Sequence, residues 1–178
     1  ATFALEEYKD VPCESFAIKY NTDYNTKDLS LDMKMHKAIT IIQFKLEGQI
    51  IKRRPEFELE NRLLLDKIDY EKKTVVVDGV TYEMNDTSFP TVDPEDPYRL
   101  TPEEEEVIER LRQAFVRCEK LQTHVRFLFA KGSLYKVYNS NLLYHGCVPM
   151  DEEGNFKSVN VYGKYYKGKE LYDILDGY

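Results

Sequence analysis

Tryptophan is missing from the 178 residues, and cysteine and histidine occur only three times each. Cys13, Cys118 and Cys147 are odd in number, far apart and without a C-x-x-C pair. This excludes a disulfide framework and a thiolate zinc site, and it predicts a reducing, cytoplasmic setting. No apolar run approaches the roughly 18 residues of a membrane-spanning helix, so no membrane is expected as a partner. Positive charge is also scarce: 25 Lys and Arg face 32 Asp and Glu, a formal net charge of -7 with a pI near 5.1. Phosphate backbones demand clustered cations, so nucleic acid is not an expected partner either. Glycine-rich phosphate loops, nucleophile elbows, paired zinc-ligand motifs, internal repeats and Gly/Ser linkers are all lacking. The commonest self-contained catalytic signatures are therefore excluded.

What is present suffices for one ordinary domain with a real core. The chain opens on Ala1 and stops at Tyr178 after an amphipathic "KELYDIL", and so reads as a piece of something longer. "ATFALEEYK" predicts the last turns of a helix ending before Pro12, and "CESFAIKYNTDYNTKDLS" an ordered loop rich in turn residues. From Leu31, the apolar residues Leu31, Met35, Ala38, Ile39, Ile42, Leu46 and Ile50 recur at three and four and predict a long helix. Gly48 within it costs about 1 kcal/mol relative to alanine. Lys52, Arg53 and Arg54 complement the dipole at its C-terminal end, and Pro55 stops it.

The period then changes. Leu63–Asp69, Thr74–Val77 and Val80–Met84 predict a three-stranded meander with Asp78-Gly79 as a tight turn. A proline-bearing connector leads to a helix announced by a capping box, with Thr101 as N-cap, Pro102 at the first position and Glu104 reaching back. "LQTHVRFLFAKG" predicts further helix closed by Gly132, "NLLYHGCVP" a buried strand, "DEEGN" a turn, "FKSVNVYGKYYKG" a hairpin and "KELYDIL" a final helix. The fold class is α+β.

Three features invite a functional reading. His145 stands at the end of the "NLLY" run with Gly146 behind it, which allows close approach to a metal or phosphate; the residues alone favour a core histidine beside a turn glycine. Cys147 lacks a neighbouring base and reads as a buried structural thiol. Arg53 and Arg54 offer adjacent guanidinium forks suited to a substrate phosphate, or simply a solvated helix end. Glu103 to Glu106 occupy a helix N-terminus, where the dipole favours acids without any metal. His36 and His124 lie in helical segments with no second ligand at suitable spacing.

"ATFALEEYKDVPCESFAIKYNTDYN", "MHKAITIIQFKLEGQIIKRRPEFELENRLLLDKI", "NDTSFPTVDPEDPYRLTPEEEEVIERL" and "SNLLYHGCVPMDEEGNF" together resemble successive parts of the class 3, Firmicutes-type fructose-1,6-bisphosphatases. That family is of the calcineurin-like metallophosphatase type, with a dinuclear centre assembled from D-x-H, GDxxDRG and GNHD or GNHE elements, a His-Gly strand end and a later histidine. Only the His-Gly element is in this sequence, so the resemblance implies His145 as a metal ligand. The other motifs would lie upstream of Ala1 and downstream of Tyr178. It implies that residues 1–140 are a mostly helical insertion with a small β meander (63–84). Residues 141–178 would be a segment of the α/β metallophosphatase core carrying the His-Gly strand end, a hairpin and the start of a helix. The implied activity is gluconeogenic hydrolysis of fructose 1,6-bisphosphate to fructose 6-phosphate and phosphate. Two divalent ions, typically manganese (Mn2+), would serve it, and the isolated 178 residues would be inactive. The competing expectation is a non-catalytic regulatory or oligomerisation module in which His145 is structural. A homo-oligomer is compatible with either.

Overall fold

Helix α2, Ser30–Arg53, is the longest element among the described residues, and the first helix and the short turns at Glu14–Phe16, Pro55–Phe57 and Glu60–Arg62 pack along it. The computed structural model describes residues 1–17 and 30–177, and the chain divides into two compact units, Ala1–Gln113 and Ala114–Tyr178. Most of the loop expected between Cys13 and Ser30 lies outside the described residues. The α+β class holds: short helices and small antiparallel sheets alternate along the chain.

In the first unit, α1 (Thr2–Glu7) lays Ala4 and the following Tyr8 against Ala38 of α2. The α2 residues Ala38, Ile41, Ile42 and Ile51 are buried, as the three-and-four spacing requires. Lys37 and Lys45 share that buried face, and each has partners. Lys37 Nζ donates to Asp86 Oδ2 (2.6 Å) and to the Pro12 carbonyl (2.7 Å), with the Phe16 and Phe89 rings beside it. Lys45 Nζ donates to Glu104 Oε2 (2.7 Å) and to the Thr91 carbonyl (2.5 Å). Both side chains of the Lys45–Glu104 pair are fully buried.

The capping box forms as the sequence predicts. Helix α3, Pro102–Val116, has Glu104 N donating to Thr101 Oγ1 (3.2 Å) and Thr101 N donating to Glu104 Oε2 (2.9 Å). The same Glu104 oxygen thus caps its own helix and neutralises a lysine from α2. Beside it, Tyr8 Oη and Thr91 Oγ1 are 3.2 Å apart. Burial, reinforced by the Glu104 charge, pushes the Tyr8 phenol up to about 12.

Gly48 has a packing reason that outweighs its poor helix propensity. A Cβ there would sit 2.0 Å from Cδ1 and 2.2 Å from Cε1 of the Tyr98 ring, which occupies the gap. The Tyr98 hydroxyl donates to Asp66 Oδ1 (3.2 Å) and accepts from Leu65 N (3.1 Å), while Gln49 Nε2 donates to the Tyr98 carbonyl (2.8 Å). One tyrosine therefore ties the connector to α2 and to the segment entering the sheet.

That sheet is smaller than its sequence suggested. Strands β1 (Ile68–Asp69), β2 (Thr74–Val77) and β3 (Val80–Glu83) pair antiparallel in sequence order, but residues before Ile68 wind into 3-10 turns instead of extending from Leu63. Tyr98 accounts for this: holding Leu65 N and Asp66, it takes the backbone donor that a longer strand would need. The Asp78-Gly79 turn has both residues at positive φ, 49° and 79°, as a two-residue hairpin demands.

In the second unit, α4 (Glu119–Lys131) is followed by the hairpin β4 (Tyr135–Tyr138) and β5 (Asn141–Tyr144), the hairpin β6 (Val159–Val161) and β7 (Lys164–Tyr166), and α5 (Gly168–Asp176). The division expected at residue 140 falls in the turn between two paired strands of one hairpin. Leu171 is the only large hydrophobic residue fully buried among those described here, whereas Phe129 is 86% exposed.

The buried ion pair generates a stability prediction. Lys45→Met strands the Glu104 carboxylate without its cation, and denaturant unfolding is expected to show a loss of about 3–5 kcal/mol. Adding Glu104→Leu removes the orphaned charge and is expected to recover much of that loss. A double variant as unstable as the single one would place the loss in packing instead of charge.

Candidate functional site

His145 follows a hairpin whose geometry is local and well defined. Tyr135 pairs with Tyr144 and Val137 with Leu142, and the turn residues Asn139 and Ser140 both take positive φ, 48° and 62°. Strand β5 is not the buried strand that its leucines suggested: Leu142 and Leu143 are 57% and 56% exposed. Leu142 shares the face of Tyr135 and Tyr144 and borders the cleft beside α5, while Leu143 lies on the opposite face of the ribbon, so one helix encloses neither leucine.

Helix α5 grips this ribbon through its acidic side chains. Asp176 Oδ1 accepts from Leu134 N (2.6 Å), and Asp173 Oδ1 accepts from the Tyr135 hydroxyl (2.7 Å). Lys169 Nζ donates to the other Asp173 oxygen (2.5 Å). These bonds, Lys169 first and Tyr135 second, hold the Asp173 carboxyl below the usual carboxylate range. The Tyr172 ring meets Tyr135 and Tyr144 edge to face, with centroids 6.0 and 6.4 Å apart. Together with Val148 and Phe156 these rings line an apolar cleft of about 270 Å³.

The turn that carries His145 is fixed on both sides. The His145 amide donates to the Leu134 carbonyl (3.3 Å), Gly146 adopts φ +82°, and the Cys147 carbonyl accepts from the Tyr172 hydroxyl (3.0 Å). A residue with a Cβ is strained at that φ, so the glycine has a backbone function. The imidazole of His145 is exposed. Cys147 is exposed as well, which corrects the expectation of a buried thiol: its backbone is drawn to Tyr172 and its side chain is left at the surface.

The other sequence candidates lie in different settings. Arg54 pairs with Glu56 (2.5 Å) and stacks over Phe57 (4.9 Å), while Arg53 is exposed in the last turn of α2. Both arginines belong to the first unit and His145 to the second. His36 bonds the Phe16 carbonyl through Nδ1 (3.2 Å), and His124 is exposed on α4. Among the described residues no group of three or more His, Cys, Asp or Glu side chains could hold a metal ion. A single exposed imidazole does not constitute a metal centre, so the residues present do not by themselves fit a dinuclear site.

The residues that position His145, namely Tyr172, Asp173 and Asp176, were not singled out in the sequence. Each sits in the predicted "KELYDIL" helix or just after it, but has a hydrogen-bond partner 25 to 42 residues away. Periodicity reports a face, not the identity of what meets it.

The family model described as Firmicute fructose-1,6-bisphosphatase matches residues 1–178, the whole chain. The chain belongs to this family. Curated relatives named "Fructose-1,6-bisphosphatase class 3" include that of Clostridium botulinum (strain Alaska E43 / Type E3), 57% identical over 178 residues, and that of Clostridioides difficile (strain 630), 56% identical over 177. The Bacteroides fragilis (strain YCH46) protein of the same name is 56% identical over 179 residues. Each alignment takes in 99% of this chain and 27% of the relative, so the chain spans about a quarter of the length of the curated relatives it matches. No solved structure matches. The resemblance in the four quoted stretches is thereby extended to the full sequence.

Two measurements check the clamp around His145. Tyr172→Phe removes one hydrogen bond at a surface turn, so hydrogen exchange at Gly146 to Val148 is expected to quicken several-fold while the first unit's protection is unchanged; a uniform change would mean that Tyr172 supports folding generally. For Asp173 the folded pKa lies below the unfolded one, so its stabilisation is present above the ordinary carboxyl range and is lost as pH falls through the depressed value. Acid titration followed at the Tyr135 ring should show the contact with α5 releasing below the pH at which a free aspartate protonates. Release at the ordinary carboxylate pH would remove Asp173 from the clamp.

Proposed function

We propose that this chain is part of a fructose-1,6-bisphosphatase that hydrolyses fructose 1,6-bisphosphate to fructose 6-phosphate and phosphate in gluconeogenesis. The observation that carries the reading is the family match over the entire chain, joined by relatives of that name at 56–57% identity. The whole protein is read as a cytoplasmic metallophosphatase of calcineurin-like fold. Among the described residues no helix is long and apolar enough to cross a membrane.

His145 is proposed as one ligand of a divalent metal, manganese, with the remaining ligands supplied by parts of the whole protein beyond these residues. Its imidazole is exposed and follows a strand end whose backbone is tied to Leu134 and, through Cys147, to Tyr172. Such support places a side chain without burying it, as a ligand completed by other segments requires. Residues 141–178 then serve the core of the phosphatase, and the helical part before them is an insertion.

The test is manganese-dependent phosphate release from fructose 1,6-bisphosphate by the full-length protein, with metal content measured in parallel. His145→Ala is expected to lower both turnover, by about 10²-fold or more, and bound manganese. Near-normal turnover and metal content in that variant would instead assign His145 a structural role and favour a non-catalytic module. The 178 residues alone are expected to show no turnover, and activity in them would overturn the assignment of ligands to other segments.

A further inference from the structure

Helix α2 carries a second apolar stripe that the described residues of its own unit leave partly exposed. Adjoining the buried row at Ile42, Met35, Ile39, Leu46 and Ile50 fall on one stripe, and Met35, Ile39 and Ile50 are 41%, 42% and 47% exposed. A helix apolar on two sides belongs between two layers. Ile39, Leu46 and Ile50 of the stripe line an open groove of about 640 Å³, with Phe57, Leu59 and Ile108 also in its walls.

The sequence of the stripe says what fits it. In an antiparallel crossing centred between Ile42 and Gln43, Met35 faces Ile50 of a second α2 and Ile39 faces its Leu46, each contact occurring twice. At the ends of the same stripe, Asp32 in the first turn faces Arg53 in the last turn of the other copy. Opposed charges and opposed helix dipoles therefore coincide with the apolar register. This is the self-complementarity that a two-fold interface demands, where residue i meets j and j meets i. The geometry points to the outer face of α2 as an isologous, antiparallel contact between two copies of this chain. It stands apart from the reading of His145.

The test is sedimentation of the full-length protein over a range of concentrations. Each of Asp32→Arg and Arg53→Asp places like charges together twice per dimer and is expected to weaken self-association about ten-fold or more. The double variant Asp32→Arg/Arg53→Asp exchanges the signs and is expected to restore it, which a merely structural role for either residue would not do. Gln43 lies at the two-fold centre, so Gln43→Cys is expected to link two copies on mild oxidation, with the unsubstituted protein as control. A protein that stays monomeric, a double variant no better than the singles, or a Gln43→Cys chain that fails to link would overturn the proposal. In the last case Ile39→Glu distinguishes the cause: loss of folding in a monomer would mean that another segment of the protein's own chain covers the stripe.

Discussion

The first unit depends on one buried charge pair. Lys45 and Glu104 meet with no exposure to water, and the same carboxylate oxygen also receives the amide that begins α3. Burying two charges is expensive unless geometry and additional hydrogen bonds compensate. Here the Thr91 carbonyl shares the ammonium, so the connector is joined to the two helices at one point. Three segments far apart in sequence are thereby specified together. An apolar contact of equal area would hold them without dictating which atoms meet.

A second cation repeats the device nearer the start of α2. Lys37 is tied to Asp86 and to the Pro12 carbonyl, fixing both ends of the unit's connecting segments against one helix. Between the two lysines lie Ala38, Ile41 and Ile42. The buried face of α2 is therefore an apolar row with two positive positions that select their partners. Gly48 adds a third constraint by shape, since only the absence of a Cβ admits the Tyr98 ring.

These facts explain what could be read from the sequence. Periodicity located α2, the capping box located α3, and the Asp78-Gly79 turn located the β2–β3 hairpin, because each is decided by neighbours within a few residues. The Lys45–Glu104 pair was hidden, although a lysine in the middle of an apolar row was its signal. The first strand was overestimated because its backbone is claimed by Tyr98 from the connector, which no local rule can anticipate. The leucines of β5 suggested burial for the same reason: apolar composition tells that a face must be covered, not by which element. At the site, the His-Gly pair was legible only through resemblance, while the tyrosine and aspartates that hold its turn required the folded chain.

The two units solve their apolar surfaces differently, and that difference bears on function. The first has a core of its own, and its exposed apolar residues include a stripe on α2 as well as Val76, Val80 and Tyr82 of the small sheet. The second is held together by hydrogen bonds and ring contacts around α5, with Phe129 and Leu143 exposed and Leu142 at the open edge of the cleft. A unit with so little buried apolar area gains its rigidity where polar groups are paired, and those pairs converge on the residues flanking His145. The backbone on either side of the imidazole is thus tied to Leu134 and to Tyr172. This is the arrangement expected where one side chain must be presented accurately to groups that other segments supply.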